Sequence, residues 1–504
     1  MISRDAPEKV PGDSVNFQVL SPRNFLFLVL IYFGLQTVLR VWISGTVDLD
    51  ESEQLVLTQK FCLGYGSQPP LYTWMQMLFF RVFGVSVFAL ALLKNLLLFS
   101  IYLFTYLNVR FVTRSQICGA LGAVSLLFIP QVSWESQRDL THSILATASV
   151  VATLFLFLRL RSNSWSDYIL FGVSAALGVL SKYNYLAFLF GLIVAATSLS
   201  RFRSVILNRR MLVSLGVCVL ILSPHLFWAL NHRELLATTT YKFRQQVNHT
   251  FIANIGTGLA NLVVAVLFHI GPIVLIFAAF FRDGIFNKSA LAKNEFVALF
   301  LRKYGFILAG LVLVILSFQM TGFKDRWFEP IFISLPILLF SLVQDQINKR
   351  RAKGILTLGV VVAATILIVI PTRIHLAEKL RRTQLLNAPY RQLKFQLAEF
   401  ILPGSLVVAE NKWVGGNLRM LFPELNVLTP ELAKLYSATN RRCLVVWDAT
   451  RRGTPSPALM RFVETFAGVE LGTNTALVSG KYQFHRAKKF QLGISDVRER
   501  SGKF

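Results

Sequence analysis

Four carboxylates stand close together directly after the first long apolar segment of the chain: Asp48, Asp50, Glu51 and Glu53. Carboxylates held this close can take a proton from an attacking hydroxyl group, or their oxygens can bind a divalent cation such as Mg²⁺ or Mn²⁺. A plainer interpretation stays open, because acidic residues are also common in solvated loops. The spacing predicts a candidate site for general-base chemistry or for binding a divalent cation.

A glycine- and proline-rich segment follows the carboxylates, with the sequence GYGSQPPLYTW at 64–74. Its double proline stiffens the backbone, and the aromatic residues after it favour an amphipathic helix lying along a membrane surface. It is not a nucleotide-binding loop, since no strand precedes it and no P-loop lysine follows it. The segment is therefore expected to hold the carboxylates next to a membrane.

Long apolar segments dominate the rest of the sequence. Of the 504 residues, 54% are hydrophobic and only 15% are charged, whereas a soluble domain has about 25% charged residues. A transmembrane helix needs about 20 mostly apolar residues. Segments of this kind are predicted at 24–43, 85–107, 117–133, 141–158, 168–180, 183–199, 211–230, 256–280, 304–320, 329–343 and 355–371. The sequence thus predicts a polytopic α-helical membrane protein with about 11 transmembrane helices.

The net charge of +26 has a topological explanation. Alternate connections hold 17 Lys and Arg residues against four acids, at 108–116, 159–167, 200–210, 281–303 and 344–354. The positive-inside rule places these connections in the cytoplasm, together with the polar segment 1–23. The first apolar run lacks a small-residue cleavage site after it and is predicted to be an anchor. Because the bilayer divides the basic residues, a nucleic-acid binder is excluded.

The composition changes after the last apolar segment. Residues 372–504 contain 21 Lys and Arg, 10 Asp and Glu, and no span. Strands are predicted at 405–409, 443–447 and 475–479, and helices at 389–400, 415–421 and 456–467. These elements predict a small extracytoplasmic α/β domain that serves as a rigid lid or docking module, since no phosphate loop or nucleophile motif occurs in it. From Arg486 onwards we expect a basic tail lying on anionic lipid headgroups.

Short motifs in the membrane region resemble those of the C-type membrane glycosyltransferases (GT-C). They are DE at 50–51, QPPL at 68–71, QRDLTH at 137–142, GVLSKY at 178–183 and FKDRWFEP at 323–330. Their order and their placement on one membrane face carry the resemblance, which extends over residues 24–371. The chain is most similar to the bacterial branch that contains aminoarabinose transferases, rhizobial lipid A and core galacturonosyl transferases, and relatives of the protein O-mannosyltransferases.

The resemblance implies a GT-C catalytic region at 24–371, with its first outward loop at 44–84. It implies that a sugar moves from a polyprenyl-phosphate donor to a cell-envelope glycolipid, of the lipid A or core lipopolysaccharide type. The transfer would take place at the periplasmic face of the inner membrane, with inversion at the anomeric carbon. Membrane lipids and the two substrates are then the expected partners.

Site residues follow from the same motifs. The resemblance implies catalytic roles for Asp50, Glu51 and Asp139, and it leaves Asp50 open as a general base or as a metal or positioning ligand. Cations would stabilise the leaving lipid phosphate, and the candidates are Lys182, Lys324 and Arg326. The candidates for other substrate contacts are Gln68, Tyr72, Tyr183 and Trp327.

Several features favour other interpretations. Gln68 stands where related transferases often carry Lys or His, so a cationic contact to the donor is absent or comes from elsewhere. Basic residues at helix ends also suit anchoring at headgroups, the preferred interpretation for Lys242 and Arg244. Two alternative functions are a protein O-glycosyltransferase of the same fold and a multi-pass lipid transporter or flippase. A transporter is disfavoured because no internal repeat is evident and Lys94 is the one charge clearly inside a span.

Overall fold

The computed structural model describes residues 21–66, 68–234, 250–285, 294–402, 404–432, 443–467 and 469–499. These ranges form a helical bundle and an α/β domain at one end of it. Lys242 and Arg244 lie outside the described residues, as do most of the N-terminal segment 1–23 and the last residues of the expected basic tail.

The bundle begins with three helices that carry the first outward loop, and longer helices surround them. Its described α-helices are α1 (Pro22–Ile43), α2 (Leu49–Leu57), α3 (Leu71–Phe83), α4 (Val87–Thr113), α5 (Gln116–Val124), α6 (Ser136–Asp139), α7 (His142–Leu158), α8 (Trp165–Ser181), α9 (Tyr185–Thr197), α10 (Ser200–Ile206), α11 (Met211–Asn231), α12 (Phe251–Ile285), α13 (Glu295–Phe318), α14 (Glu329–Phe332), α15 (Leu335–Val343) and α16 (Lys349–His375). Apolar side chains buried between these helices form one continuous core.

All eleven predicted apolar segments lie on helices, but fewer helices are long enough to cross a membrane alone. Six of the described helices have the length and composition of a span, or up to eight if each of two bent pairs counts as one. One pair joins Gln116–Phe128 to Gln131–Asp139 at 78°. Other predicted segments lie on bent helices, as beside Pro130, or on shorter apolar helices, namely His142–Leu158 and Trp165–Ser181, which do not have the length of a full straight span.

The two ends of the bundle differ in charge. At one end, the basic connections 159–167 and 200–210 meet, where Arg210 Nη1 donates to the Ser162 carbonyl at 2.8 Å. Arg201 forms an ion pair of 3.2 Å with Glu295 at the start of α13. The carboxylates at 48–53 lie at the other end, beside the α/β domain. This division agrees with the alternation that the sequence predicted.

Lys94 is not the only charge buried among the described helices. Lys303 on α13 is completely buried, and its ammonium group donates to the Ser334 hydroxyl and to the Ile331 carbonyl at 3.3 Å. The sequence placed Lys303 at the end of a basic connection, but α13 already begins at Glu295. Its contacts join α13 to the break between α14 and α15.

The α/β domain contains a five-stranded sheet flanked by helices. Its elements are α17 (Tyr390–Ala398), β1 (Leu406–Ala409), α18 (Lys412–Leu421), β2 (Asn426–Leu428), β3 (Cys443–Asp448), α19 (Pro457–Ala467), β4 (Val469–Tyr482) and β5 (His485–Glu499). The strand order is β2-β1-β3-β5-β4. Strand β1 pairs in parallel with β2 and β3, while β5 pairs in antiparallel with β3 and β4. The three predicted strands and three predicted helices are all present.

The expected basic tail is wrong over most of its length, because residues 485–499 form β5 between β3 and β4. Phe490, Leu492 and Ile494 alternate along this strand and are buried. This spacing of two is the pattern of a strand with one buried face. The Lys and Arg residues at 486–489 concealed it in the sequence.

The α/β domain and the first outward loop share a core. Val56, Leu57 and Tyr65 of that loop pack in one apolar cluster with Trp413 and Phe490 of the domain. Polar contacts reinforce this packing between α2 and α18, and they fix the position of the domain over the loop. A separately hinged lid does not fit this shared core.

Candidate active site

Helix α2 carries the four acidic residues of the first outward loop. Asp48 caps its N-terminus by accepting a hydrogen bond from the Leu49 amide at 2.9 Å, and Glu51 accepts one from the Asp48 amide at 3.2 Å. This capping box and the negative charge of the first turn both suit a helix N-terminus. Successive side chains of a helix point about 100° apart, so Asp50 and Glu51 face different parts of the molecule.

Glu51 faces the bundle interior and is completely ion-paired. Arg40 of α1 donates to both of its carboxylate oxygens, at 3.0 and 2.5 Å. The Lys94 ammonium group of α4 lies 3.7 Å from Glu51 Oε1. Burial alone would raise the pKa of Glu51, but Arg40 and Lys94 outweigh burial and lower this pKa to about 2. This geometry suits a residue that positions α2 more than one that exchanges a proton.

Asp50 is half-buried on the other side of α2, and its backbone amide donates to Asp139 Oδ1 at 2.9 Å. Burial, and secondly the charge of Glu53, raise the pKa of the Asp50 carboxyl to about 6. Three cations act on it in the opposite direction: Lys412, Arg326 and Lys182. A carboxyl group with this pKa is mostly ionised at neutral pH but still a useful proton acceptor.

Lys94 connects the two acidic segments. Besides its ion pair with Glu51, its ammonium group donates to the Gln137 carbonyl at 3.1 Å. Gln137 in turn donates to Asn95 Oδ1 at 2.9 Å. One lysine inside the bundle therefore fixes α2 relative to α6, which carries Asp139.

Lys182 follows the last residue of α8, and its ammonium group donates to Ser143 Oγ at 2.6 Å. Arg326 lies on the 3₁₀ turn Asp325–Trp327, which Lys324 precedes. Two hydrogen bonds hold this turn in place: Gln131 Nε2 to Asp325 Oδ2 at 2.8 Å and Asn184 Nδ2 to the Trp327 carbonyl at 3.0 Å. The structure thus brings Lys182 and Arg326 from distant parts of the sequence to the same carboxylate.

The four predicted substrate contacts divide into two groups. Tyr72 is buried, with its ring 5.4 Å from the ring of His142. The Tyr183 hydroxyl lies 2.9 Å from His225 Nε2. Both tyrosines therefore contact histidines of the bundle and form the first group. Gln68 and Trp327 form the second group, and these two are half-buried, as is Tyr183.

Sequence reasoning missed three charged residues of this region. Lys412 of the α/β domain forms a 2.9 Å ion pair with Glu53, and no local pattern marked it because 359 positions separate the two. Glu329 is completely buried within electrostatic reach of Lys182. The sequence did contain a signal for Lys94, because it stands within an apolar segment, and an ionisable residue inside a membrane span is usually functional or paired.

A metal-ligand role for Asp50 would require further ligands, and the first candidates are the neighbouring side chains. Within the described ranges, no group of three or more His, Cys, Asp or Glu side chains is arranged to hold a metal ion. The donor set at Asp50 and Asp139 consists of two carboxylates with several cations around them. A divalent cation at Asp50 would therefore need further oxygen ligands from outside this pair of carboxylates.

Comparisons with known proteins give relatives over nearly the whole chain. Residues 67–228 match the family described as dolichyl-phosphate-mannose-protein mannosyltransferase. The lipopolysaccharide core galacturonosyltransferase RgtA of Rhizobium johnstonii is 31% identical over 486 residues, covering 94% of this chain and 96% of that protein. RgtB of the same organism, also a lipopolysaccharide core galacturonosyltransferase, is 32% identical over 456 residues, or 89% of this chain and 91% of that protein.

A solved structure shows the same fold. The crystal structure of ArnT from Cupriavidus metallidurans bound to undecaprenyl phosphate has a TM-score of 0.58 at 13% identity, and the match covers 94% of this chain and 98% of that one. The fold is thus that of a C-type membrane glycosyltransferase, a multi-pass membrane protein as predicted. Within that class, the chain belongs to the family that includes the rhizobial lipopolysaccharide core galacturonosyltransferases.

Proposed function

We propose that the protein transfers a sugar, galacturonic acid in the first instance, from a polyprenyl-phosphate donor to a lipopolysaccharide-type glycolipid. The observation that carries the proposal is the half-buried Asp50 carboxylate at one end of the bundle, which lies within electrostatic reach of Lys182 and Arg326. The relatives' names supply the substrate class, and a neighbouring fold binds undecaprenyl phosphate. Such a transfer needs one base and a cationic site for the leaving phosphate.

Asp50 is the proposed general base. The acceptor hydroxyl oxygen attacks the anomeric carbon of the donor sugar while the bond from that carbon to the phosphate oxygen breaks. The hydroxyl proton passes to the Asp50 carboxylate, whose pKa of about 6 leaves it mostly ionised at neutral pH. A single displacement of this kind inverts the anomeric configuration. The hydrogen bond from the Asp50 amide to Asp139 keeps the start of α2 in place.

Lys182 and Arg326 are the proposed partners of the leaving group. The polyprenyl phosphate gains negative charge as the bond to the sugar breaks, and fixed cations stabilise this charge most in a site with little water. Arg326 can offer two parallel N–H donors to phosphate oxygens, whereas Lys182 acts as a point charge. Lys324 is a third cation on the same turn. Gln68 and Trp327 are proposed to contact the sugar, and Tyr72 and Tyr183 to support the site.

The site is proposed to face the periplasm, with the protein in the inner membrane. The two basic connections at the opposite end of the bundle support this orientation, because Lys- and Arg-rich loops stay in the cytoplasm. The acceptor is then a glycolipid in the outer leaflet of that membrane.

Purified protein with radiolabelled polyprenyl-phosphate sugars and a lipopolysaccharide extract tests the proposal. We expect wild type to transfer label, starting with galacturonic acid, and Asp50→Asn to lose transfer while Glu135→Gln retains it. Glu135 is a matched control because its ion pair with Arg138 is partly exposed. A chelator arm tests for a metal requirement. Failure of wild type to transfer from any donor would overturn the proposal, and lipid translocation in vesicles would then test the transporter alternative.

A further inference from the structure

A groove of about 420 Å³ lies between the start of α2 and the α/β domain. Its walls combine hydroxyl, amide, carboxylate and cationic groups with two aromatic side chains, Trp413 and Tyr482. The residues that matter here are Leu49, Thr383, Asn411, Lys412, Arg451 and Tyr482. Such a mixture of donors, acceptors and an apolar surface matches the alternating hydroxyl groups and C–H faces of a sugar.

The groove adjoins the proposed base. Leu49 lines the groove and immediately precedes Asp50 in α2. Lys412 also lines the groove, and its charge acts on the Asp50 carboxyl. A molecule lying in the groove would therefore be next to the turn of α2 that carries Asp50.

The walls of the groove are held rigidly. The Val47 amide donates to Asn417 Oδ1 at 2.9 Å, and Trp413 Nε1 donates to the Val47 carbonyl at 3.0 Å. A Cβ atom at Gly416 would lie 2.5 Å from the Ser52 Cα, so α18 approaches α2 as closely as a glycine permits. A groove fixed in this way loses little entropy when it binds a ligand.

From these contacts we propose that the groove binds the saccharide headgroup of the acceptor, and that Lys412 and Arg451 recognise a negatively charged group on it. This inference rests on the proposed function and names the substrate that this part of the site takes. The Lys412 ammonium has three donors, one of which contacts Glu53 at 2.9 Å. The other two are available to an anion of the acceptor, and the pair with Glu53 holds the ammonium between the groove and Asp50.

The steady-state kinetics of sugar transfer by three groove variants and one control variant test the inference. At saturating donor, we expect Lys412→Gln and Arg451→Gln to raise the acceptor KM about tenfold, while the donor KM stays unchanged. Lys412→Arg should restore most of the affinity. Arg461→Gln is the control, because Arg461 lies exposed on α19 of the same domain and does not line this groove. An unchanged acceptor KM in both groove variants would overturn the inference.

Two modified acceptors identify the charged group. Removal of phosphates from the acceptor, or reduction of its carboxylates, should raise the wild-type KM to that of Lys412→Gln in one of the two cases. If the acceptor KM of wild type stays below that of Lys412→Gln by the same factor after both treatments, recognition of charge by Lys412 is refuted.

The failure of this inference can be told apart from that of the proposed function. Wild-type transfer is measured in the same assay, so its absence counts against the proposed function alone. Calorimetry then measures the binding of the free acceptor oligosaccharide to wild type and to Lys412→Gln. This measurement tests the groove assignment independently of catalysis. Equal binding by the two proteins would refute the groove assignment, and weaker binding by the variant would support it.

Discussion

The two sides of helix α2 form two regions of opposite character. Towards the bundle, Glu51 is buried between Arg40 and Lys94 and its charge is fully compensated. Towards the α/β domain, Asp50 is half-buried among cations that surround it without a direct ion pair to it in the described structure. Two adjacent acids of one motif thus have carboxyl pKa values of about 2 and about 6.

One short helix thus carries both a residue that stabilises the fold, Glu51, and the proposed general base, Asp50. The compensated side fixes the helix to α1 and α4, so that the uncompensated side presents its carboxylate at a defined place. A carboxylate with a depressed pKa is a poor base at neutral pH, whereas one near 6 is effective. Four experiments test whether the two sides of α2 have these different roles, and their expected effects decrease in the order given.

Replacement of Glu51 by Gln should have the largest effect, a loss of folded protein. Breaking a buried ion pair costs about 3–5 kcal/mol, because Arg40 and Lys94 keep buried charges without their partner. Thermal unfolding in nanodiscs measures the loss, with Glu135→Gln as a control expected to cost less than about 1 kcal/mol. Since the folded pKa of Glu51 is depressed, its stabilisation is present above pH 4.5 and declines as the pH falls towards 2. An unfolding temperature equal to that of wild type would contradict the structural role.

Replacement of Asp50 by Asn should leave the fold intact and reduce turnover about 10³-fold, the usual contribution of a general base. The measurement pairs sugar-transfer kinetics with thermal unfolding on the same preparation. Asp50→Asn should lower turnover but not the unfolding temperature, whereas Glu51→Gln should lower the unfolding temperature. The two variants therefore distinguish the two sides of α2. Retention of more than about a tenth of wild-type turnover would show that Asp50 is not the base.

Replacement of Lys182 by Gln should reduce kcat about 10²-fold, since a preorganised charge near the leaving phosphate contributes mainly in the transition state. Lys303→Met is the matched control, a buried lysine of the same bundle whose contacts are a hydroxyl and a carbonyl. It should change kcat less than threefold. Equal losses in the two variants would mean that Lys182 acts through the fold.

The pH profile should show the smallest effect. Activity should rise with pH and level off above an inflection near 6, as Asp50 loses its proton. Lys412 favours the ionised carboxylate, so Lys412→Gln should move the inflection upwards by about half a unit. The profile of kcat/KM for wild type and variant measures this shift. A downward shift would rule out the proposed electrostatic contact.

Much of the architecture was predictable from local patterns. Hydropathy placed every apolar segment on a helix, and β1 and β3 follow from their runs of buried residues. The bends of the described helices, such as that beside Pro130, were not predictable because they depend on packing between helices. Strand β5 escaped prediction because basic side chains at 486–489 lie next to its alternating apolar residues.

The site was predictable only where its residues belong to motifs. Asp50 lies within electrostatic reach of Lys182 and Arg326, and all three belong to motifs that were predicted to share one membrane face. The division of labour between Asp50 and Glu51 was not predictable, because it depends on which partners face each side of α2. Lys412 could not be found at all, since its place beside Glu53 follows from the docking of α18 on α2.

The central position of β5 has a consequence for how the protein is made. This strand is the last described element to leave the ribosome, yet it separates β3 from β4 in the sheet. Until it is added, Tyr390 and Trp413 lack the ring of Phe490 against which they pack, and α18 has no finished sheet behind it. The sheet behind α18, and with it the support of the groove, is therefore completed only when the last described element of the chain has been synthesised.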